Sequence, residues 1–337
     1  MNDLARRKTG GPDTNSMDAW SERIDRAAEK RSKLGFALDN AYRLMDGAGD
    51  DAPGVFIDVF AGRWLVQTWA ATLPAGLSEA LTTRRVAWWW KRLDPAEKSS
   101  PLAMSEPGGV DPFLVVENGL HFEISFRSGY SQGLFLDQRN NRRRVREQAS
   151  PDQRILNLFA YTGGFSVAAA TGGAITTTVD LSGPYLDWSK RNFTHNGLDP
   201  ATHYFIKGDA LDWLGAFVKK QRVFDGIVLD PPTFGRIKGG GVWRAEKDYQ
   251  HLVEAAARAL APGGWMFCSA NCRGMDRRRF ESQLRAGFAA ASRTCSMEHS
   301  PMPPDFTGEP YLLNAWCSSA STATRADATA GKESRHG

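Results

Sequence analysis

The chain reads as an α/β protein in which a mostly parallel, helix-covered sheet fills the second half and a smaller α+β unit precedes it. Three observations carry this. From about Pro151, apolar runs of strand length alternate with helical stretches, the signature of right-handed βαβ units and a parallel sheet. Before that point apolar residues follow a period of two, broken at Ala61-Gly62 and Asn118-Gly119, as hairpins require. The length, 337 residues, accommodates two domains of ordinary size.

Taken in order, residues 1 to 16 and 319 to 337 are polar, without apolar period, and read as disordered tails. Asp18 to Leu34 reads as a polar helix ending near Gly35. Val55 to Val59 with Trp64 to Trp69, and Phe113 to Glu117 with His121 to Phe126, read as two hairpins, and Leu77 to Leu93 as a helix. Breakers at Pro101, Pro107, Gly108 and Gly109 make 99 to 111 a loop. The small domain is therefore two hairpins plus a helix, set at 17 to 128, with the larger domain at 129 to 318. In that larger domain, strands are expected at Ile155 to Phe159, Ile175 to Asp180, His203 to Lys207, Gly226 to Asp230 and Trp265 to Ser269. Helices are expected at about 164 to 171, 184 to 196, 210 to 219, 246 to 260 and 276 to 290. Thr294 to Glu298 and Leu312 to Cys317 would add an antiparallel pair, giving seven strands.

Composition bounds the function. No apolar run approaches the roughly 18 residues of a membrane span, and the polar N-terminus has no secretory apolar stretch, so a cytoplasmic protein without membrane contact is expected. Cys268, Cys272, Cys295 and Cys317 have no accompanying ligand pairs, which argues for free thiols and no metal. The net charge of +4 permits a polyanionic partner without requiring one. Arg139, Arg142, Arg143, Arg144 and Arg146 form one cluster, and Arg273, Arg277, Arg278 and Arg279 another; each suits phosphate contacts or a solvated helix face, and two clusters together point to nucleic acid. Trp88, Trp89 and Trp90, flanked by cations, read as core or as a base-stacking platform.

Two stretches carry chemistry. After the first parallel strand come Asn157, Phe159, Tyr161, Thr162, Gly163 and Gly164, with a helix following at once; glycine lets backbone approach a ligand, and the helix N-terminus offers free N–H groups. Asp180, followed by Leu181, ends the second strand, the place from which an acid holds a ribose hydroxyl. Phosphate-binding glycine patterns are absent, so an adenosine cofactor without phosphates fits, S-adenosyl-L-methionine being the common one. Asp209 and Ala210 end the third strand and would face the adenine, while Asp209 also suits a helix N-cap. The second stretch is Asp230, Pro231, Pro232, Thr233 and Phe234: the prolines end the strand and leave an acid and an aromatic on a stiff ledge at the sheet's ligand-binding edge. Asp230 and Phe234 are therefore candidates to hold the group being modified. Gly239 to Gly241 read as a lid or a disordered loop.

With those residues in place, about 35 to 318 resembles the class I S-adenosylmethionine-dependent large-subunit rRNA methyltransferases that make 5-methylcytosine or 7-methylguanine. The shared motifs are Asn40 to Gly47, Pro53 to Asp58, Gly129 to Arg139, Asn157 to Phe165 and Asp230 to Phe234. The resemblance implies a Rossmann-like seven-stranded methyltransferase sheet. It also implies a 23S rRNA substrate, a ribose contact at Asp180, an adenine-side contact at Asp209, a methionine contact at Gly163, and a cofactor border formed by Phe135, Gln138 and Arg139. Such relatives often begin with a small RNA-binding domain that the roughly 34 residues before Gly35 cannot contain, so RNA capture would fall to the hairpin domain and the arginines. Where the cytosine enzymes carry a cysteine nucleophile, an ungapped reading places Ala270. Cys268 or Cys272 would need a one- or two-residue shift to serve, and Ser269 to Gly274 looks closer to the guanine-N7 members. The rival readings are the same sheet acting on a small molecule or protein, and a non-catalytic RNA-binding assembly factor.

Overall fold

The computed structural model describes residues 15–35, 39–94, 99–105, 110–236, 242–272 and 274–320. Both tails, Gly239 to Gly241, and Arg273 lie outside the described residues, apart from a few at the tails' inner ends. The chain forms two compact units, Met1–Arg139 with Pro303–Pro310, and Asn140–Met302 with Tyr311–Gly337. The sequence division at 128/129 differs from this in two places. Residues 129 to 139 group with the first unit, and so does a short segment from near the end of the chain.

The first unit opens with α1 (Met17–Ser32), whose N-cap Ser16 accepts from Ala19 N–H and whose face of Trp20, Ile24 and Ala27 is buried. Its sheet holds β1 (Ala41–Asp46), β2 (Val55–Phe60), β3 (Arg63–Thr68), β4 (Trp88–Arg92) and β5 (Leu102–Ala103) in that order. α2 (Leu77–Thr83) connects β3 to β4, which run parallel, and β6 (Phe113–Glu117) with β7 (Leu120–Ile124) forms a separate hairpin. The helix expected to Leu93 stops ten residues early, and this is a correction. Arg85 takes the left-handed conformation (φ 54°), which a helix cannot continue through, and the bulky Trp88–Trp90 run then suits a pleated strand. Alternation along β4 sends Trp88 into the core with Ile57 and Val66, while Trp89 lies 4.5 Å from Phe126 on the opposite side.

What holds Pro303–Pro310 in this unit is charge. Asp305 is fully buried, and its carboxylate receives both terminal nitrogens of Arg139 (3.0 and 2.8 Å) and the Arg43 N–H (2.8 Å). Arg31 donates to the Asp305 carbonyl (2.7 Å) and forms a bidentate pair with Asp50 (2.6 and 2.6 Å). Arg43 meets Asp46 (2.6 Å) and Asp58. Sequence pattern shows none of this, because the partners of Arg31, Arg43 and Arg139 lie up to 274 residues away.

The second unit is built on β8 (Arg154–Leu158), β9 (Ile175–Asp180), β10 (Tyr204–Lys207), β11 (Phe224–Leu229), β14 (Leu260–Ala270), β15 (Cys295–His299) and β16 (Leu313–Ser319), in the order β10-β9-β8-β11-β14-β16-β15. The first five are parallel, and β16 runs antiparallel between β14 and β15, as the seven-stranded expectation holds. α3 (Arg139–Gln148), α4 (Gly164–Thr171), α5 (Gly183–His195), α6 (Ala210–Lys219), α7 (Ala245–Arg258) and α8 (Arg277–Ala290) are its helices. A small hairpin, β12 (Phe234–Arg236) with β13 (Val242–Arg244), follows the Asp230 ledge where only a break was expected. Leu156, Leu158 and Leu229 meet Tyr249, Leu252, Phe280 and Leu284 in one core. Charge is unevenly shared: the first unit has 17 Lys and Arg against 21 Asp and Glu, the second 25 against 17.

Replacing Asp305 with Ala strands buried guanidinium groups, so chemical denaturation should show a loss of roughly 3 to 5 kcal/mol. Burial pushes the Asp50 carboxyl up, but hydrogen bonds from Arg31, the Asp46 N–H and Lys30 outweigh it and hold the pKa at about 2. Because this lies below the unfolded value of 3.8, the unfolded chain binds the proton more readily. The Asp50 contribution, roughly 2 kcal/mol, is complete above about pH 4 and disappears as pH falls toward 2; pH-resolved melting of wild type against Asp50→Asn should show it.

Candidate cofactor and substrate site

The sheet order places a topological switch point at β8 and β11: from β8 the chain steps outward to β9 and β10, then returns to the other side as β11. In such sheets the crevice beyond the carboxyl ends at the switch point binds ligands. The second-unit residues that the sequence suggested for cofactor and target group lie at or just beyond the carboxyl ends of β8, β9, β10 and β11.

The turn after β8 is conformationally demanding. Phe159 (φ 57°), Tyr161 (φ 52°) and Gly163 (φ 76°) are all left-handed, two of them non-glycine. Several contacts impose this shape. Tyr161 N–H donates to Asp180 Oδ2 (2.8 Å), Gly163 N–H donates to the Ala160 carbonyl (2.8 Å), and Asn192 Nδ2 on α5 donates to the Thr162 carbonyl (2.9 Å). Gly163 is required twice over, since a Cβ there would lie 1.9 Å from Ser189 Oγ. It is also the N-cap of α4 and has no side chain to occupy that helix terminus. Asn157 and Thr162 are buried, and Asn157 Nδ2 donates to Ser166 Oγ (2.9 Å), which in turn accepts from Thr178 Oγ1 (2.8 Å). Asn157 therefore supports the turn from below.

Asp180 closes β9 with its carboxylate also accepting from Ser182 N–H (2.8 Å). Burial raises its pKa above the ordinary carboxylate value, and the backbone donors of Ser182, Tyr161 and Leu181 oppose that only in part. Leu181 presents an exposed side chain beside it. Tyr185 on α5 meets Tyr161 edge-on at 4.6 Å, and its hydroxyl pKa is raised by burial and by Asp180. Asp209 Oδ1 caps α6 through Leu211 N–H (2.8 Å) and Asp212 N–H (3.2 Å), so the capping role is real; Ala210 behind it is buried.

On the β11 side, Tyr249 of α7 is fully buried, and its hydroxyl sits 3.2 Å from the Leu229 carbonyl and 2.8 Å from that of Ser269. It fastens the ends of β11 and β14 at the root of Asp230. Pro231 is buried, Pro232 is exposed with its carbonyl accepting from Trp243 Nε1 (3.0 Å), and Thr233 Oγ1 donates to the Asn271 carbonyl. Phe234 is 67% exposed, leaving its ring free for a planar partner. Sequence reasoning missed Tyr185, Ser189, Asn192 and Tyr249, whose roles appear only once helices α5 and α7 are folded over the turns.

Phe135, Gln138 and Arg139 fall in the first unit: Phe135 is half-exposed, Gln138 is buried, and the Arg139 guanidinium is committed to Asp305. The first arginine cluster is not a uniform phosphate surface, which corrects the sequence expectation. Arg142 is buried near the Phe165 ring, and Arg144 forms a bidentate pair with Glu298 (2.9 and 2.8 Å) over the Trp316 ring. Exposed cations remain at Arg143 and, on α8, at Arg277 and Arg278. Among the described residues no cluster of His, Cys, Asp or Glu is arranged to hold a metal, and no helix is long and apolar enough to cross a membrane. None of the four cysteines is exposed; Cys268, in β14, and Cys272 are buried.

An acid closing β9, a glycine turn opening α4 and an acid-proline ledge after β11 gather at the switch point, an arrangement suited to a methyltransferase-type sheet. Comparison agrees: the family description S-adenosylmethionine-dependent methyltransferase matches residues 91–306. The chain is 33% identical over 296 residues to the protein named "Putative ribosomal RNA large subunit methyltransferase YwbD" of Bacillus subtilis (strain 168), covering 84% of this chain and 74% of that protein. It is 41% identical over 186 residues to ribosomal RNA large subunit methyltransferase K of Neisseria meningitidis serogroup B, covering 54% of this chain but 52% of that one. The crystal structure of SMU.776 complexed with SAH superposes with a TM-score of 0.79 at 27% identity, over 90% of this chain and 82% of the other. The chain belongs to the S-adenosylmethionine-dependent methyltransferases related to the large-subunit rRNA enzymes.

Gly163→Ala should force the turn open against Ser189. Calorimetric titration with S-adenosylhomocysteine should show at least a tenfold weaker affinity, with a lower melting temperature.

Proposed function

We propose that this enzyme methylates a base of 23S rRNA at an atom that offers a lone pair, guanine N7 in preference to cytosine C5. The observation that carries the choice is the burial of Cys268 and Cys272: attack on cytosine C6 requires a thiolate presented to the base, whereas N7 methylation requires none. The residues present fit S-adenosylmethionine. Asp180 offers remaining lone pairs to a ribose diol; Leu181 with Asp209 and Ala210 borders the adenine side; Phe159, Tyr161, Thr162 and Gly163, supported by Asn157, receive the methionine portion. When bound, that cofactor supplies an activated methyl group, so the protein's task is alignment and exclusion of water.

Asp230 and the Pro231 carbonyl accept hydrogen bonds from the edge of the target base, and Phe234 stacks on its face. Tyr249 holds the ledge that sets their position. RNA is the substrate this reading favours because the second unit is basic and leaves Arg143, Arg277 and Arg278 exposed. The names of the similar proteins support the same substrate.

Mass spectrometry of 23S rRNA nucleosides from cells with and without the gene tests this. One 7-methylguanine should vanish, and cells carrying Asp180→Ala should lack it too; its persistence would overturn the assignment. The raised pKa of Asp180 gives a second test. Its ionised form accepts the sugar hydroxyls, so S-adenosylhomocysteine affinity should fall as pH drops through a midpoint above the ordinary aspartate value, and Asp180→Asn should flatten the profile. Exchanging Arg277 and Arg278 for Ala should lower the slope of log affinity for RNA against log salt by about 0.7 per lost phosphate contact.

A further inference from the structure

One polar group beside Asp180 has no role in the reading above: the phenol of Tyr185, in the first turn of α5. Its place is fixed through both of the backbone bonds that Asp180 accepts. On one side, Tyr185 N–H donates to Ser182 Oγ (3.3 Å), and the Ser182 N–H in turn meets Asp180 Oδ1 (2.8 Å). On the other, the Tyr185 ring stands edge-on against Tyr161 at 4.6 Å, and the Tyr161 N–H meets Asp180 Oδ2 (2.8 Å). Tyr161 is itself backed by the buried Trp188, 6.4 Å away. The phenol is thus mounted on a stiff wall next to the carboxylate.

The two groups have complementary hydrogen-bonding roles. Asp180 accepts from backbone N–H groups and does not take the phenol proton. Among the described residues nothing else takes it either, and the ring is half-buried. Burial, and then the nearby Asp180 charge, raise the Tyr185 pKa, so the hydroxyl keeps its proton at neutral pH and is available as a donor. An ionised carboxylate can only accept, so a sugar diol held by Asp180 gives up its protons to it and is left with unused lone pairs on its own oxygens. A protonated phenol beside the carboxylate supplies the missing donor.

We propose that the Tyr185 hydroxyl donates a hydrogen bond to one ribose hydroxyl of the cofactor, so that Tyr185 and Asp180 together distinguish a ribose from its deoxy counterparts. The proposal rests on the ribose contact assigned above to Asp180. A site that pairs with a ligand hydroxyl rejects the analogue lacking it, because its own polar groups are then left without partners. Tyr185 is accordingly a binding and specificity residue, and the ring contact with Tyr161 serves to aim its hydroxyl.

The test is calorimetric titration of the full chain with S-adenosylhomocysteine and with its 2′-deoxy and 3′-deoxy analogues, using wild type, Tyr185→Phe and Asp180→Asn. Tyr185→Phe keeps the ring, and an unchanged melting temperature reports that the wall is intact. It should weaken S-adenosylhomocysteine about three- to tenfold, the range of one neutral hydrogen bond. One deoxy analogue should lose affinity by the same factor, while the other, which lacks the partner hydroxyl, should bind Tyr185→Phe and wild type equally. Unchanged affinity for S-adenosylhomocysteine in Tyr185→Phe would overturn the proposal, and so would an equal loss with all three ligands, which would mean that the phenol shapes the turn without touching the sugar. Asp180→Asn separates the two levels. If it weakens S-adenosylhomocysteine and Tyr185→Phe does not, only the Tyr185 contact fails; if folded Asp180→Asn binds as wild type does, the ribose reading fails and takes the Tyr185 contact with it.

Discussion

The turns at the carboxyl edge of the second unit's sheet depend on where one carboxylate sits. Asp180 takes N–H groups from Tyr161 and Ser182, so it ties the turn after β8 to the turn after β9. That bond holds Tyr161 left-handed, and with it the run from Phe159 to Gly163 that opens α4. Left-handed non-glycine residues cost of order 1 kcal/mol or more, and a turn with two of them persists only where its surroundings over-determine it. The surroundings here are Asp180 from one side, Asn192 from α5, and the Asn157, Ser166 and Thr178 hydrogen bonds beneath. The carboxyl edge of the sheet is therefore most tightly constrained at this point.

The first unit has its own organising constraint, and it too is a buried acid. Asp305 draws Arg139, the backbone of Arg43 and, through its carbonyl, Arg31 onto a segment that arrives from late in the chain. Buried ion pairs add little net stability compared with apolar packing, but breaking one is costly, which makes them effective at specifying a single arrangement. Arg31, Arg43 and Arg139 are turned inward by these bonds and are committed to holding the unit together.

The larger sheet was legible in the sequence because buried parallel strands read as short apolar runs, and β9, from Ile175 to Asp180, carries its own end marker in the acid. The shape of the turns at its carboxyl edge was legible on other grounds: glycine, proline and aspartate at strand ends have backbone consequences that need no tertiary knowledge. Leu77 to Leu93 misled because its residues fit a helix until Arg85 turns left-handed, and the three tryptophans become a strand only through pairing with β3. Arg142 and Arg139 look like any solvated arginine until their neighbours are known. The role of Tyr249 was not legible, since a tyrosine in an amphipathic helix is ordinary, and its hydroxyl matters only because the ends of two strands meet it.

The most direct measurement is a crystal structure of the chain with S-adenosylhomocysteine. The account predicts both ribose hydroxyls within about 2.6 to 3.0 Å of the Asp180 carboxylate, with the bonds to Tyr161 and Ser182 retained. A sugar held by other residues, with Asp180 bound to backbone alone, would contradict it.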